Sequence, residues 1–295
     1  MSLRGVIPPL VTPFRTDGAL DLASFEASLE ALAAHDLAGF LVLGSNGEAA
    51  SLDEEEKLAL VAAARRRAPG RFLLVGTGME STRGTIGRTR QAADLGADAV
   101  LVLTPHFYKS RMSVEALRRH FEAVADASTV PVYLYSVPAF TGLVWPPELA
   151  AALASHPRIA GMKESSGDVA LLARIVASVP PRFEVACGSA PSFYPALCVG
   201  AVGGVLAVAN CAPRPAISLY RAFQEGDHAR ARRIQEALTP LALAVTTGHG
   251  IAGLKAAMGL VGMAGGSVRA PLLPAPAGVL DEIRPLLERA EAAAR

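Results

Sequence analysis

The chain has 295 residues, 51% of them hydrophobic and 19% charged, and a formal net charge of +1. That length fits one large α/β barrel or a doubly wound domain with a companion, and the apolar fraction excludes a disordered chain. A charge this close to zero gives no electrostatic ground for a nucleic-acid partner. Three cysteines, Cys187, Cys198 and Cys211, lie in or beside apolar runs. So sparse and odd a set reads as reduced thiols of a cytoplasmic protein, not as a disulfide framework or a zinc site. Mean hydropathy is +0.34, yet every apolar run is broken well before about 18 residues, so no membrane span is expected. The start lacks a basic region leading into a long apolar stretch, so no signal peptide is read.

Short Val- and Leu-rich runs recur at residues 5–12, 39–44, 72–76, 99–104, 131–135, 159–163, 183–188 and 203–208. Their length and composition predict buried parallel strands. Amphipathic stretches alternate with them at 21–35, 53–67, 81–95, 113–127, 146–155 and 168–179. The second begins with an acidic turn and ends in three arginines, matching the helix dipole at both ends. Eight such units predict a (β/α)8 TIM barrel over residues 1–212. The remainder, 213–295, reads as helices only, at 215–225, 228–244, 251–261 and 277–293, packed on the barrel as one structural unit. A doubly wound sheet would usually show a glycine-rich phosphate loop, and Gly76-Thr77-Gly78 is only a fragment of one.

Barrel chemistry sits at the C-terminal ends of the strands. Those ends hold Gly44-Ser45-Asn46-Gly47-Glu48, Tyr135-Ser136-Val137-Pro138, Lys163-Glu164-Ser165-Ser166 and Gly188-Ser189-Ala190. The chain has only four lysines, Lys57, Lys109, Lys163 and Lys255, and otherwise uses arginine. Lys163 closes an apolar strand, where a merely solubilising charge has no place. An amine drawn partly out of water gives up its proton more readily and becomes a nucleophile, whereas guanidinium forms no imine. The plainer alternative is a snorkelling lysine paired with a carboxylate, and the other three lysines are assigned solvated or ion-paired roles. Tyr135 ends the neighbouring strand within reach of that amine and could shuttle protons, or serve only as a core tyrosine. The turn at 44–48 offers backbone N–H groups suited to a carboxylate or phosphate, or simply a cap. Six histidines form no ligand cluster, only His106 falling at a strand end, and no G-x-S-x-G elbow exists.

With these residues placed, the chain resembles the dihydrodipicolinate synthase / N-acetylneuraminate lyase family of pyruvate-dependent class I aldolases. The resemblance runs from Gly5 to about Pro271, on Gly44-x-x-Gly47-Glu48, Tyr135-x-Val137-Pro138-x-x-Thr141-Gly142 and Gly161-x-Lys163. It implies that Lys163 forms a Schiff base with a 2-oxo acid and that Tyr135, helped by Ser45, relays protons. It further implies that Ser45 and Asn46 hold the pyruvyl carboxylate, that Gly188 and Leu206 line the pocket, and that no metal or organic cofactor is used. A homotetramer acting on a 2-oxo acid and an aldehyde is implied as well. Three positions depart from the synthase pattern: Ser45-Asn46 replaces Thr-Thr, Phe140 replaces an arginine that grips the aldehyde's carboxylate, and Phe107 replaces a tyrosine donated across a subunit interface. Tyr108 is one residue out of register. The chain is more similar to 4-hydroxy-2-oxoglutarate aldolases, which implies cleavage to pyruvate and glyoxylate, with Ser165 contacting the distal carboxylate. Competing expectations are a synthase or another acceptor on the same Schiff base, a silent barrel serving as a binding protein, and a metal-dependent aldolase.

Overall fold

The computed structural model describes residues 2–295. Its strands are β1 Gly5–Ile7, β2 Gly39–Val42, β3 Phe72–Gly76, β4 Ala99–Leu103, β5 Val132–Ser136, β6 Ile159–Glu164, β7 Glu184–Cys187 and β8 Gly203–Val205. All pair in parallel in the order β1-β8-β7-β6-β5-β4-β3-β2. The Leu10 N–H donates to Leu41 O at 2.8 Å and the Leu41 N–H to Pro8 O at 3.0 Å. These bonds join the two ends of the sheet, so the eight strands form a barrel. Runs read as strands at both chain ends of the barrel are shorter than their apolar stretches. Pro8 and Pro9 have no N–H for a ladder, and residues after Val205 coil into a 3-10 turn, Ala207–Asn210.

The helices are α1 Leu22–Ala33, α2 Glu54–Arg67, α3 Thr82–Asp94, α4 Val114–Ala127, α5 Pro138–Thr141, α6 Pro147–Leu153, α7 Val169–Ser178, α8 Phe193–Cys198, α9 Pro213–Gln224, α10 His228–Leu243, α11 Gly250–Leu260 and α12 Val279–Ala293. Side-chain caps start most long ones: Asp21, Ser81, Ser113, Asp168 and Asp227 each accept a first-turn N–H. Asp53 and Glu56 close a full capping box on α2. The larger core, including Phe40, Val100, Leu134 and Met162, lies between the sheet and the helices. The smaller one fills the barrel itself with Ile7, Leu41, Leu74, Leu101, Tyr133 and Val205. Being apolar on both faces is what made the strands read as unbroken runs.

Two features depart from expectation. Helix α9 packs against β1 and α8, the place of the eighth barrel helix. The barrel therefore runs past residue 212 to α9, and α10 to α12 form the extension. A π-helical turn, Ala244–Gly248, joins α10 to α11. The second feature lies in β6. Val132 pairs with Ile159, but Tyr133 pairs with Gly161, so Ala160 is a surplus residue, a β-bulge. The backbones are close here: a Cβ on Gly161 would lie 2.1 Å from Glu184 O. Beyond the bulge Tyr135 stands opposite Lys163 and Ser136 opposite Glu164.

Candidate active site

Tyr135 and Lys163 both face the barrel mouth. Lys163 is 3% exposed, and its Nζ lies 4.2 Å from the centroid of the Tyr135 ring. The ring face is electron-rich, which favours a cation over it, and the close approach keeps the amine directed inward. The Tyr135 hydroxyl lies 3.3 Å from Ser45 Oγ, either being able to donate. Behind Tyr135, Thr104 donates its hydroxyl to the Tyr135 carbonyl at 3.1 Å and accepts the Trp145 indole N–H at 2.8 Å. The single tryptophan is thus a buttress for β5.

Ser45 and Asn46 lie in a 3-10 turn, Ser45–Gly47, after β2. The turn bonds Gly47 N to Gly44 O and Glu48 N to Ser45 O, each at 3.0 Å. The N–H groups that open such a turn have no partner inside it, so they suit an anionic ligand. Across the mouth, Ser165 and Gly188 meet. A Cβ on Gly188 would lie 1.8 Å from Ser165 Oγ and 3.0 Å from Lys163 Cε. Only glycine leaves room there. Ser165 Oγ is buried with no hydrogen-bond partner, a cost unless something bound supplies one. The structure therefore brings Lys163, Tyr135, Ser45, Ser165 and Gly188 together, with Asn46 beside Ser45. Leu206 differs, because its side chain packs in the outer core. Its backbone N–H donates to Ile7 O at 3.0 Å and its carbonyl accepts the Ala209 N–H at 3.1 Å, so its main chain is engaged within the barrel as well.

The rim carries Phe107 and Phe140, 75% and 64% exposed. Tyr108 is also exposed, its ring edge-on to Phe107 with centroids 5.0 Å apart. Within one chain the Tyr135 hydroxyl meets Ser45 alone among the described residues. Glu80 shapes the rim loop by accepting the N–H groups of His106 and Phe107 at 2.9 and 2.8 Å. Glu164, next to Lys163 in sequence, faces away from the mouth and is 2% exposed. Burial pushes its carboxyl above the usual range, partly offset by the Ser166 N–H at 2.9 Å. Among the described residues no three potential metal-ligating side chains stand together. Among those residues no helix is long and apolar enough to cross a membrane.

Sequence reasoning missed the tail's part in this site. Lys255 lies on α11, 4% exposed, and its ammonium donates to Glu48 at 2.5 Å. Arg269 reaches Glu56, Ser51 O and Gly18 O, and its backbone N–H donates to Glu48 at 2.9 Å. An amine within the apolar helix Gly250–Leu260 was the available signal, but its partner is far off in sequence.

An amine held beside a phenol that a serine hydroxyl contacts can form an imine with a 2-oxo acid and have protons moved around it. Known proteins agree with that chemistry. The profile of the dihydrodipicolinate synthetase family matches residues 2–290. A 4-hydroxy-tetrahydrodipicolinate synthase from Exiguobacterium sibiricum is 38% identical over 271 residues, covering 92% of each chain. The dihydrodipicolinate synthase of Thermotoga maritima superposes with a TM-score of 0.94 at 30% identity over 99% of both chains. A prophage protein of the dihydrodipicolinic acid synthase family from E. coli K12, solved in complex with pyruvate, gives 0.91 at 31% identity over 99% of both chains. The chain belongs to the dihydrodipicolinate synthetase family of pyruvate-dependent class I aldolases, and is a carbon–carbon lyase working through a Schiff-base lysine.

Proposed function

We propose that Lys163 is that lysine and that pyruvate is its 2-oxo acid. The observation that carries this is the inward, buried amine of Lys163 opposite Tyr135, with Ser45 on the phenol. The amine attacks C2 of pyruvate, and loss of water leaves an imine. Removal of a C3 proton gives an enamine, whose C3 attacks an aldehyde while Tyr135 delivers a proton to the new alkoxide. Cleavage is the same path in reverse. The N–H groups of Ser45 and Asn46 hold the pyruvyl carboxylate. Borohydride trapping with pyruvate, read by intact mass and peptide mapping, tests the assignment. A stable adduct on Lys163 is expected; folded protein without one overturns it.

For the acceptor, the relatives support condensation of the kind named in 4-hydroxy-tetrahydrodipicolinate synthase, with aspartate semialdehyde as partner. They give no support to the 4-hydroxy-2-oxoglutarate specificity suggested by the sequence likeness. One observation keeps cleavage of that acid as a second reading: the rim of β5 presents the apolar Phe140 and no cation of its own. Comparing kcat/KM for semialdehyde condensation with that for 4-hydroxy-2-oxoglutarate cleavage decides between them. We further propose a homotetramer; the exposed Phe107, Tyr108, Phe140 and Val144 support self-association. Sedimentation velocity checks this, and a monomer at micromolar concentration removes it.

A further inference from the structure

The turn carrying Ser45 and Asn46 is bracketed by two non-glycine residues in the left-handed region, Leu43 at φ 59° and Glu48 at φ 51°. Such conformations persist only where the surroundings over-determine them, and they cluster where function needs a fixed shape. Here the surroundings come from the far end of the chain. Glu48 is 4% exposed and accepts from Lys255 Nζ at 2.5 Å and from the Arg269 N–H at 2.9 Å. Lys255 directs its other ammonium hydrogens to the carbonyls of Thr12 and Ser267, at 2.6 and 2.7 Å. Thr12 in turn donates its hydroxyl to Gly47 O at 2.7 Å. All three donors of the ammonium are used, so its position is fixed in three directions. Burial lowers the Lys255 pKa and the Glu48 contact works against that. A buried ion pair is weak evidence for stability, and its better-attested use is to impose one arrangement.

We propose that Glu48 and Lys255 are positioning residues, through which the C-terminal helices hold Ser45 and Asn46 in register with Tyr135. This rests on the reading of Lys163 and the Ser45–Asn46 turn given above. The pair touches no reacting atom. It acts on the turn, and the turn acts on the pyruvyl carboxylate and the tyrosine.

The test compares Glu48→Gln, Lys255→Met, the double variant, and Leu287→Ala as a control. Leu287 is a buried residue of α12 with no part in the turn. The readouts are thermal midpoint, and the pyruvate concentration giving half-maximal borohydride trapping on Lys163, taken well below every midpoint. Positioning predicts at least a tenfold rise in half-saturating pyruvate for both single variants. The double variant leaves no charge unpaired, so its midpoint recovers while its half-saturation stays high. Leu287→Ala lowers the midpoint and keeps wild-type half-saturation. Should a single variant fail to fold, the double variant carries the test. Folded variants that trap pyruvate at the wild-type concentration overturn the proposal. Wild-type protein that forms no adduct is a different result: it removes the Lys163 reading and this one with it.

Discussion

Replacing Gly188 with alanine puts a methyl where the structure has no room. The new Cβ would lie 1.8 Å from Ser165 Oγ, 2.8 Å from Ser165 Cβ and 3.0 Å from Lys163 Cε, against an ordinary contact of 3.4–4 Å. The Ser165 hydroxyl can rotate away, but its Cβ is fixed to the backbone at the end of β6. Relief therefore requires Ser165 or β7 to shift by a sizeable fraction of an ångström, and Lys163 Cε with it. Overpacking of this kind costs about 1–3 kcal/mol of stability. A misplacement near 1 Å at a reacting group costs about 100-fold in rate. Gly188→Ala is expected to remain folded, with a lowered thermal midpoint and kcat and trapping rate reduced by about two orders of magnitude. The double variant Ser165→Gly/Gly188→Ala removes the two closest contacts and should regain part of the trapping rate. A single variant with wild-type kcat and trapping rate would refute the claim that Gly188 walls the amine.

Lys163→Ala should abolish trapping and lower turnover by more than roughly 10³-fold, with no loss of thermal midpoint, since the amine is buried without a carboxylate partner. Tyr135→Phe keeps the ring under the amine and deletes the contact to Ser45. It should lower kcat by about 10²–10⁴-fold, and stopped-flow kinetics showing an unchanged rate would remove the proton-relay role. Phe140→Arg supplies a bidentate carboxylate partner at the rim. It should raise semialdehyde kcat/KM at least severalfold, and an unchanged value would show that position 140 does not face the aldehyde's carboxylate. His120 is buried, with its Nδ1 on Thr82 Oγ1 at 2.9 Å and its Nε2 without a partner. Burial holds its pKa down from 6.5 to about 4. The unfolded chain thus binds a proton more readily across that window, so stability is lost as pH falls from 6.5 towards 4, by up to about 3 kcal/mol. Denaturant titrations should show that slope flattened in His120→Phe, and an equal slope would sink the attribution.

All eight strands could be read from the sequence because both sheet faces are buried, which leaves apolar runs with no polar stripe. The long helices could be read because their caps are local. The elements that escaped are short or governed by distant contacts. Helix α5 is four residues and α8 six, too few for a periodicity to show, and α8 contains a proline. Lys163 and Tyr135 stood out because each chemical group sits where packing alone would not put it. Lys255 and Glu48 did not: an amine in the apolar run of α11 was a signal, but its partner lies 207 residues away. Leu206 shows the converse: a position that the family resemblance implies for the pocket, whose side chain turns into the outer core.

The surplus alanine in β6 governs which way the lysine points. Ile159 and Lys163 are four residues apart, so strict alternation would send both to the same face. Ile159 faces the helices, in the outer core, and on that parity Lys163 would be sunk among them while Glu164 entered the mouth. Ala160 resets the count, after which Met162 faces out and Lys163 faces in. The two ends of one strand thus obey opposite parities, one set by packing and the other by chemistry, and a single inserted residue reconciles them. Loss of that residue would leave every catalytic group in the sequence and force the strand to choose between its core and its amine.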